Sequence, residues 1–221
     1  MNTRRSLVIS IVIFIALSIY SYLAVRGLPD IVPTHWNAAG KIDGYGSKWG
    51  AALIMPGCLL FNILLLIVLP KISPKKFDIE PFRGTFNYIM LIVMLMEAAL
   101  GVVILRATAN QAVQMVGAIF GVMFLFFALL GNVLGKVRRN FFMGIKTPWT
   151  LADERVWDQT HRSAARIWTI GGFIGFVLSF LGLPFWVLFT GMMAMCLFPV
   201  VQSYFIYKKL DRGGQIAGPG M

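Results

Sequence analysis

The sequence is short of cysteine, histidine and charge, and each shortage excludes a class of protein. Its 221 residues include two cysteines, which are too few for the disulfide framework of a secreted scaffold. The two histidines, His35 and His161, fall in separate polar segments, so they cannot share a zinc or iron site and no metal is expected. Only 13% of the residues are charged, against about 25% in an average soluble domain. The composition therefore excludes a disulfide scaffold and a disordered chain.

Recognisable catalytic patterns are also missing from the sequence. Neither a Ser-His-Asp set nor a Cys-His set can be assembled, and phosphate-loop and dinucleotide fingerprints are absent. We therefore expect no catalytic residues, no cofactor and no enzymatic activity. The net charge of +11 would suggest nucleic acid in a soluble protein. In a membrane protein it reflects the excess of Lys and Arg in cytoplasmic loops, so direct nucleic-acid binding is not expected.

Hydrophobic residues are abundant, at 58% of the chain, and they are gathered into long runs. Six runs are long enough to cross a hydrocarbon layer of roughly 30 Å as helices. They are continuous rather than alternating, which makes strands unsuitable. The predicted fold class is all-α, a polytopic protein with six transmembrane helices, the last two forming a hairpin. The predicted spans cover residues 7–25, 51–69, 86–105, 113–134, 167–183 and 184–207.

The distribution of Lys and Arg predicts the orientation of these spans. Sixteen of the twenty Lys and Arg residues lie on the side that carries both chain termini. Cytoplasmic loops are enriched in Lys and Arg, so both termini are predicted to be cytoplasmic and the protein to be a multi-pass protein of the cell membrane. The four on the other side are Arg26, Lys41, Lys48 and Arg106.

Two polar segments are longer than the other connections. We call residues 26–50 the outer segment and residues 135–165 the inner segment, after their predicted sides. The chain is expected to contain a two-span unit, residues 1–70, and a four-span unit, residues 71–221. The second unit includes the inner segment as a cytoplasmic loop and a glycine-rich, flexible tail, residues 211–221.

The outer segment is predicted to be a compact, ordered loop, since prolines stiffen its entry and glycines permit its turns. Two interpretations remain open. The loop is a recognition surface, or Trp36 and Trp49 anchor it at the membrane interface while His35 makes a hydrogen bond within the loop. The candidate ligand-binding or partner-binding residues are His35, Trp36, Asn37, Gly40, Asp43, Gly44, Tyr45 and Gly46.

The inner segment is basic and aromatic and is expected to lead into an amphipathic helix. Thr150 is the predicted N-cap, with Asp153 completing a capping box, and the helix would continue from about residue 151 into the fifth span. Asp158 and Arg162 are spaced for an ion pair. The predicted apolar face consists of Trp157, His161, Ala164 and Trp168.

Two functions of the inner segment remain open. It is an interfacial helix whose basic loop rests on anionic headgroups, or it is a docking platform for a cytoplasmic partner. The candidate partner-binding residues are Asn140, Phe142, Gly144, Lys146, Thr147, Pro148, Trp149, Trp157, His161 and Arg162.

Glu97 is the one ionisable residue predicted to lie deep in a span, about 16 Å into the layer. A carboxylate at that depth is unfavourable unless it is protonated, hydrated or turned to the bundle interior. Glu97 is therefore either a proton or cation site or a protonated acid hydrogen-bonded between helices. Asn62 is placed nearer the cytoplasmic end of the second span.

Both polar segments resemble the signatures of the SdpI-like family of bacterial membrane proteins. The outer one matches a unit of unassigned function at the start of such proteins, through residues 28–37, Gly40 and residues 43–48. The inner one matches the second signature of that family. Its matching residues are Gly131, Asn132, residues 139–151, Glu154, Val156, Trp157 and residues 160–162.

The resemblance implies a six-span protein of the immunity and signalling class. Such a protein resists a secreted, membrane-active toxic peptide and can relay the presence of that peptide to a cytoplasmic repressor. The expected partners are therefore the lipid bilayer, a toxic peptide outside and a repressor inside. The alternatives are a small transporter or channel that uses Glu97 and a membrane-embedded enzyme that uses the inner segment.

Overall fold

A computed structural model describes residues 1–110 and 114–213, apart from the side chain of Lys76, as a helical bundle with one small β-hairpin. Most of the predicted tail, residues 214–221, and the first residue of the predicted fourth span lie outside the described residues. Two single-turn 3₁₀ helices, Lys75–Phe77 and Glu80–Phe82, precede α3. The elements in chain order are α1 Thr3–Val25, β1 Ile31–Trp36, β2 Ile42–Ser47, α2 Lys48–Ile72, α3 Arg83–Ala109, α4 Met115–Leu134, α5 Pro148–Ala152, α6 Glu154–Leu178 and α7 Phe185–Arg212.

Five helices within the described residues are long and apolar enough to cross a membrane: α1, α2, α3 with the turn before it, α4 and α7. This confirms an all-α polytopic membrane protein. The predicted fifth span lies in α6, whose first half is charged, and α6 does not belong to the five. A sixth crossing therefore stays a prediction.

Contacts between α4 and α6 favour that sixth crossing. A Cβ built on Gly117, near the start of α4, would lie 2.6 Å from the Ser179 carbonyl oxygen at the end of α6. At the other end of α4, a Cβ on Gly135 would lie 3.7 Å from Arg162. Helix α6 thus runs antiparallel to α4, which is one of the five candidate spans, along the whole length of α4.

Glycines allow α4 and α6 to approach closely. A Cβ on Gly131 would lie 2.6 Å from the Thr169 backbone nitrogen, and one on Gly172 would lie 2.6 Å from that of Ala128. Real Cβ atoms do not come so close to a neighbouring backbone, so these positions need glycine. Small residues at these positions thus let the backbones of the two helices pack closely, as is common between membrane helices.

The long helices alternate in direction and form two groups. The first three pack on one another, α4, α6 and α7 pack on one another, and α3 joins the groups by packing against α4. The largest apolar cluster includes Phe86 of α3, Phe124 of α4 and Trp168 of α6. The predicted boundary at residue 70 stays a prediction, and α3, placed in the second unit, packs on both helices of the first.

The outer segment takes the form of an antiparallel hairpin in which β1 pairs with β2. The sequence predicted an ordered loop here but not its strands. The hairpin joins α1 to α2 at one end of the bundle. The inner segment joins α4 to α6 at the opposite end, near the start of α1 and the end of α7.

The predicted N-cap of the inner helix is wrong by one turn. Thr147, and not Thr150, caps the short helix α5, and Thr150 closes the capping box as its third residue. The chain then breaks at Asp153, which caps α6 by accepting a hydrogen bond from the Arg155 backbone N–H. Two threonines spaced three apart offer the same cap chemistry, so the sequence alone left the register ambiguous.

The apolar face of α6 is confirmed but packs inside the protein. Trp157, His161, Ala164 and Trp168 are all buried, so this face does not lie on lipid headgroups. The ion pair near the start of α6 joins Arg155 to Asp153 at 2.8 Å. The expected pair of Asp158 with Arg162 is not among the ion pairs of the described residues.

Candidate functional site

The turn of the outer hairpin is built by Asn37. Its Oδ1 accepts hydrogen bonds from the backbone N–H groups of Ala39 (2.9 Å) and Lys41 (3.1 Å). Gly40, with φ of +73°, closes the turn in a conformation that favours glycine. The Asn37 carbonyl oxygen accepts from the Gly40 N–H at 2.8 Å. Asn37 and Gly40 therefore have a clear local role in shaping the turn.

An exposed polar pair lies across the two strands of the hairpin. His35 Nδ1 lies 2.5 Å from Asp43 Oδ1, and their side chains are 72% and 42% exposed. Gly44 pairs with His35, and a Cβ there would lie 2.8 Å from the Cβ of His35. Tyr45, on the same strand, is 65% exposed. The hairpin thus displays an imidazole, a carboxylate and a phenol on its surface.

The base of the hairpin is fixed to the bundle by residues that no sequence motif marks as site residues. The Thr108 hydroxyl, at the end of α3, donates to the Pro33 carbonyl at 3.0 Å. Lys48 Nζ donates to the Leu28 carbonyl at 2.8 Å and pairs with Asp30 at 3.1 Å. These contacts join segments that are distant in sequence, so no local pattern could have revealed them.

A cavity of about 490 Å³ lies beneath the hairpin turn. It opens between that turn, the start of α4 and the connection from α6 to α7, and so joins the outer segment to the second half of the chain. No charged side chain lines it within the described residues. Its walls include Gly40, Met115, Gly117, Ser179, Leu183 and Phe185.

Asn140 organises the start of the inner segment. Its Oδ1 accepts from the backbone N–H groups of Phe142 (2.8 Å) and Met143 (2.9 Å). Its Nδ2 donates to the carbonyl groups of Arg138 (2.8 Å) and Met143 (3.1 Å). The side chain is fully buried, so it holds the loop and is not open to a partner.

Gly144, Trp157 and His161 form a tightly packed unit behind that loop. The Ile145 N–H donates to His161 Nε2 at 2.9 Å, so Nδ1 carries the ring proton and donates to the Trp157 carbonyl at 2.8 Å. The two rings stack with centroids 4.0 Å apart. Burial lowers the pKa of His161 to about 4. This histidine is therefore neutral near pH 7, and each of its ring nitrogens already forms a hydrogen bond within the protein.

The position of Gly144 against these rings requires glycine. Its φ is +114°, and a Cβ there would lie 2.5 Å from His161 Nε2 and 3.0 Å from the Trp157 ring. Trp157 Nε1 also donates to the Val137 carbonyl at 2.7 Å. The loop therefore passes over the ring pair with no space between them.

A second contact joins the inner segment to α7. Trp149 Nε1 donates to Ser203 Oγ at 2.5 Å, and Thr147 Oγ1 lies 3.4 Å from the same oxygen. The Trp149 ring meets Tyr204 edge to face. Ser203 is fully buried. The sequence does not reveal Ser203 as a site residue, because nothing in the pattern of α7 links it to a loop more than fifty residues earlier.

The connection from α2 to α3 also packs on the inner segment. The rings of Phe77 and Phe141 lie 4.0 Å apart, and the Arg139 guanidinium lies 5.6 Å from the Phe77 ring. Arg139 donates to the carbonyl groups of Leu151 and Ala152, at 3.0 and 3.1 Å, at the end of α5. The inner segment therefore contacts the first half of the chain as well as α6 and α7.

The candidate residues of the inner segment divide by exposure. Lys146, Pro148 and Arg162 are exposed, and Lys146 Nζ donates to the Phe141 carbonyl at 2.9 Å. Those that are half-buried are Phe142, Gly144 and Trp149, and those that are buried are Asn140, Thr147, Trp157 and His161. Only the exposed group offers side chains to a partner without rearrangement.

Glu97 is hydrogen-bonded between helices, and its partner is Asn62. The Asn62 Nδ2 donates to Glu97 Oε1 at 3.0 Å, so Asn62 reaches the depth of Glu97. Asn62 Oδ1 and Glu97 Oε2 are both buried and have no hydrogen-bond partner in the described part of the chain. If Glu97 Oε2 carried a proton, it could donate a hydrogen bond to Asn62 Oδ1. Within the described residues, no group of three or more His, Cys, Asp or Glu could hold a metal ion.

Comparison with known proteins gives three matches. The SdpI/YfhL protein family matches residues 136–203, and a domain of unknown function, DUF1648, matches residues 12–60. The Immunity protein SdpI of Bacillus subtilis (strain 168) is 29% identical over 206 residues, which cover 92% of this chain and 97% of that protein. No solved structure matches the chain. The first match contains most of the inner segment and α7, and the second contains the outer hairpin.

Proposed function

We propose that this chain, which belongs to the SdpI-like membrane proteins, protects its cell against a toxic, membrane-active peptide. The observation that carries the proposal is the similarity to an immunity protein along almost the whole length of both chains. Each of the two family matches includes all or most of one of the polar segments, and these segments lie at opposite ends of the bundle. One end is thus available to meet the peptide and the other to report on it.

The outer hairpin is the proposed recognition element. It displays His35, Asp43 and Tyr45 to the outside. The uncharged cavity beneath its turn can receive an apolar side chain of a peptide. Because that cavity is also lined by the connection from α6 to α7, an occupant would touch both halves of the chain.

The inner segment is the proposed output. Its buried residues hold a rigid surface against α6 and α7, and its exposed residues, Lys146, Pro148 and Arg162, face the side predicted to be cytoplasmic. A shift of α6 or α7 caused at the outer end would move this surface, since the helices are continuous between the two ends. In this proposal a cytoplasmic repressor reads that movement.

Survival of cells tests the proposed function. Cells that express the full chain should survive a toxic peptide that kills cells without it, at a peptide dose at least severalfold higher. A panel of antimicrobial peptides identifies the class that is resisted. Equal survival with and without the chain, at confirmed membrane expression and across the panel, would contradict an immunity function.

Orientation is testable with single cysteines. In a Cys58→Ala/Cys196→Ala background, Ser47→Cys should react with an impermeant thiol reagent in intact cells. Lys136→Cys should react only after the membrane is opened. The reverse pattern would place the hairpin in the cytoplasm.

A second candidate function, transport of a proton or cation, is favoured by the Asn62–Glu97 pair. Its two buried oxygens, which have no hydrogen-bond partner among the described residues, are unfavourable in the midst of apolar helices unless a proton or ion shares them. Glu97→Gln keeps the hydrogen bond to Asn62 but cannot carry a transferable proton. If the chain transports, proton flux in proteoliposomes should be lost in Glu97→Gln at normal expression. If Glu97 only joins two helices, that variant should protect cells as the parent does.

A further inference from the structure

Two arginines of α6, Arg162 at the end of the inner segment and Arg166 just after it, line a groove on the surface of the bundle. The groove, of about 440 Å³, runs between α6 and α7 at the end of the bundle that carries the chain termini. Arg162 and Arg166 are one turn apart, so their guanidinium groups extend from the same face of the helix. The lining residues are Gln159, Arg162, Ser163, Arg166, Gln202 and Ile206.

The charge of this groove is not compensated by the protein. Neither arginine forms an ion pair within the described part of the chain. The nearest carboxylate along α6 is Asp158, one turn before Arg162, exposed and outside the groove. Like charges one turn apart repel each other on a helix. An anion held between the two arginines would reduce this repulsion.

The groove also holds a buried polar atom without a partner. Oε1 of Gln202, on the α7 wall, is buried and accepts no hydrogen bond in the described residues. A ligand whose headgroup offers a hydrogen-bond donor beside its anionic group could satisfy this oxygen. If the amide is turned by 180°, the same side chain donates to the anion instead.

Beyond the arginines the same faces become apolar and remain uncovered. Ile170 and Ile174, one and two turns after Arg166, are 61% and 56% exposed. Phe198, one turn from Gln202 on α7, is 55% exposed. Arg166 directly precedes the predicted start of the fifth span at residue 167. The groove therefore has its cationic end at the expected headgroup level and its apolar continuation in the expected hydrocarbon layer.

We propose that this groove binds one anionic phospholipid, with its phosphate between Arg162 and Arg166 and an acyl chain along Ile170 and Ile174. Arginine holds phosphate through two parallel N–H···O bonds, and basic pockets between helices at the cytoplasmic surface suit such headgroups. The headgroup hydroxyl of phosphatidylglycerol supplies the donor that Gln202 lacks. A lipid fits better than a free phosphate because the apolar continuation would otherwise stay empty.

Native mass spectrometry of the full chain in detergent tests the proposal, with phosphatidylglycerol and phosphatidylcholine as probes. The parent protein should retain one phosphatidylglycerol in preference to phosphatidylcholine. Arg162→Gln/Arg166→Gln should weaken that binding by about tenfold or more, because two charge-assisted contacts are lost. The matched control, Lys136→Gln/Arg138→Gln, removes the same charge from exposed positions outside the groove and should stay within about twofold of the parent.

Three results would overturn the proposal. Equal weakening in both double variants would mean diffuse attraction to the basic end of the bundle. Displacement of the lipid by inorganic phosphate at equal concentration would mean a site for the free anion. Unchanged lipid binding in Arg162→Gln/Arg166→Gln, with loss of a co-purifying cytoplasmic protein, would mean that the groove is a protein docking site.

Discussion

The outer and inner segments each carry a family motif, but the histidine and asparagine of the motif are exposed in the outer segment and buried in the inner one. In the outer hairpin, His35, Asp43 and Tyr45 are exposed and contribute little to packing. In the inner segment, Asn140 and His161 are buried, and their hydrogen-bonding atoms are committed to the loop that surrounds them. A motif therefore does not by itself mark a binding surface. Burial decides whether its residues recognise a partner or build the element that presents one.

The largest effect is expected at Gly144 of the inner segment. Gly144→Ala places a methyl group 2.5 Å from His161 Nε2 at a φ of +114°. Strain and overpacking together should cost about 3 kcal/mol or more of unfolding free energy. Thermal unfolding of the purified protein measures this. The control is Gly191→Ala in α7, where nothing lies within 4 Å of the new Cβ, and a similar loss there would contradict the packing argument.

The two asparagine-built turns provide the next comparison. Asn140→Ala takes a hydrogen-bond partner from two backbone N–H groups and two carbonyl groups in a half-buried loop, and should cost about 3 kcal/mol. Asn37→Ala removes two bonds from an exposed turn, where water replaces them, and should cost about 1 kcal/mol or less. Denaturation midpoints of the two variants give the comparison. Equal losses would remove the distinction between the segments.

The buried histidine of the inner segment, His161, should make the stability of the protein depend on pH. The pKa of His161 is about 4 in the folded chain and near 6.5 when unfolded. Between these values the unfolded state binds more protons, so stability should fall as pH falls from about 6.5 to 4, by up to about 3 kcal/mol. The Asp153 carboxyl, whose pKa is lowered chiefly by its hydrogen bond with Arg155, protonates below this range.

Unfolding temperatures between pH 7 and pH 5 measure this dependence. The parent protein should lose stability toward pH 5. His161→Gln should be less stable overall but show a flatter profile. If His161→Gln keeps the full slope, another group is responsible for it.

The smallest effect is expected at the exposed pair of the outer hairpin. His35→Ala and Asp43→Ala should each change the unfolding free energy by less than about 1 kcal/mol, since exposed ion pairs contribute little. Circular dichroism during heating is a sufficient measurement. A loss as large as that of Asn140→Ala would show that the hairpin depends on this pair for its fold.

The sequence allowed five of the spans to be predicted from long apolar runs, and the buried face of α6 from the periodic placement of its apolar residues. It did not reveal the hairpin, since Pro33, Gly44 and Gly46 are typical of turns and lower the strand signal. Nor could it choose between Thr147 and Thr150 as a cap. That choice depends on Thr150 donating to the Ile145 carbonyl at 2.9 Å, which is visible only in three dimensions.

The candidate sites were predicted less completely than the fold. The positions of the two polar segments were predicted correctly from residue types, because polar residues between apolar spans must lie at the ends of a helical bundle. Contacts between distant elements could not be predicted in this way. Ser203 with Trp149, Thr108 with Pro33, and Asn62 with Glu97 each join separate elements that no local pattern relates.

Protection of cells by an outer double variant tests the central claim most directly. His35→Ala/Tyr45→Ala should unfold at the same temperature as the parent protein and reach the same membrane level, yet lose protection against the toxic peptide. If this variant protects as well as the parent at equal membrane level, the exposed side chains of the hairpin are not the recognition surface.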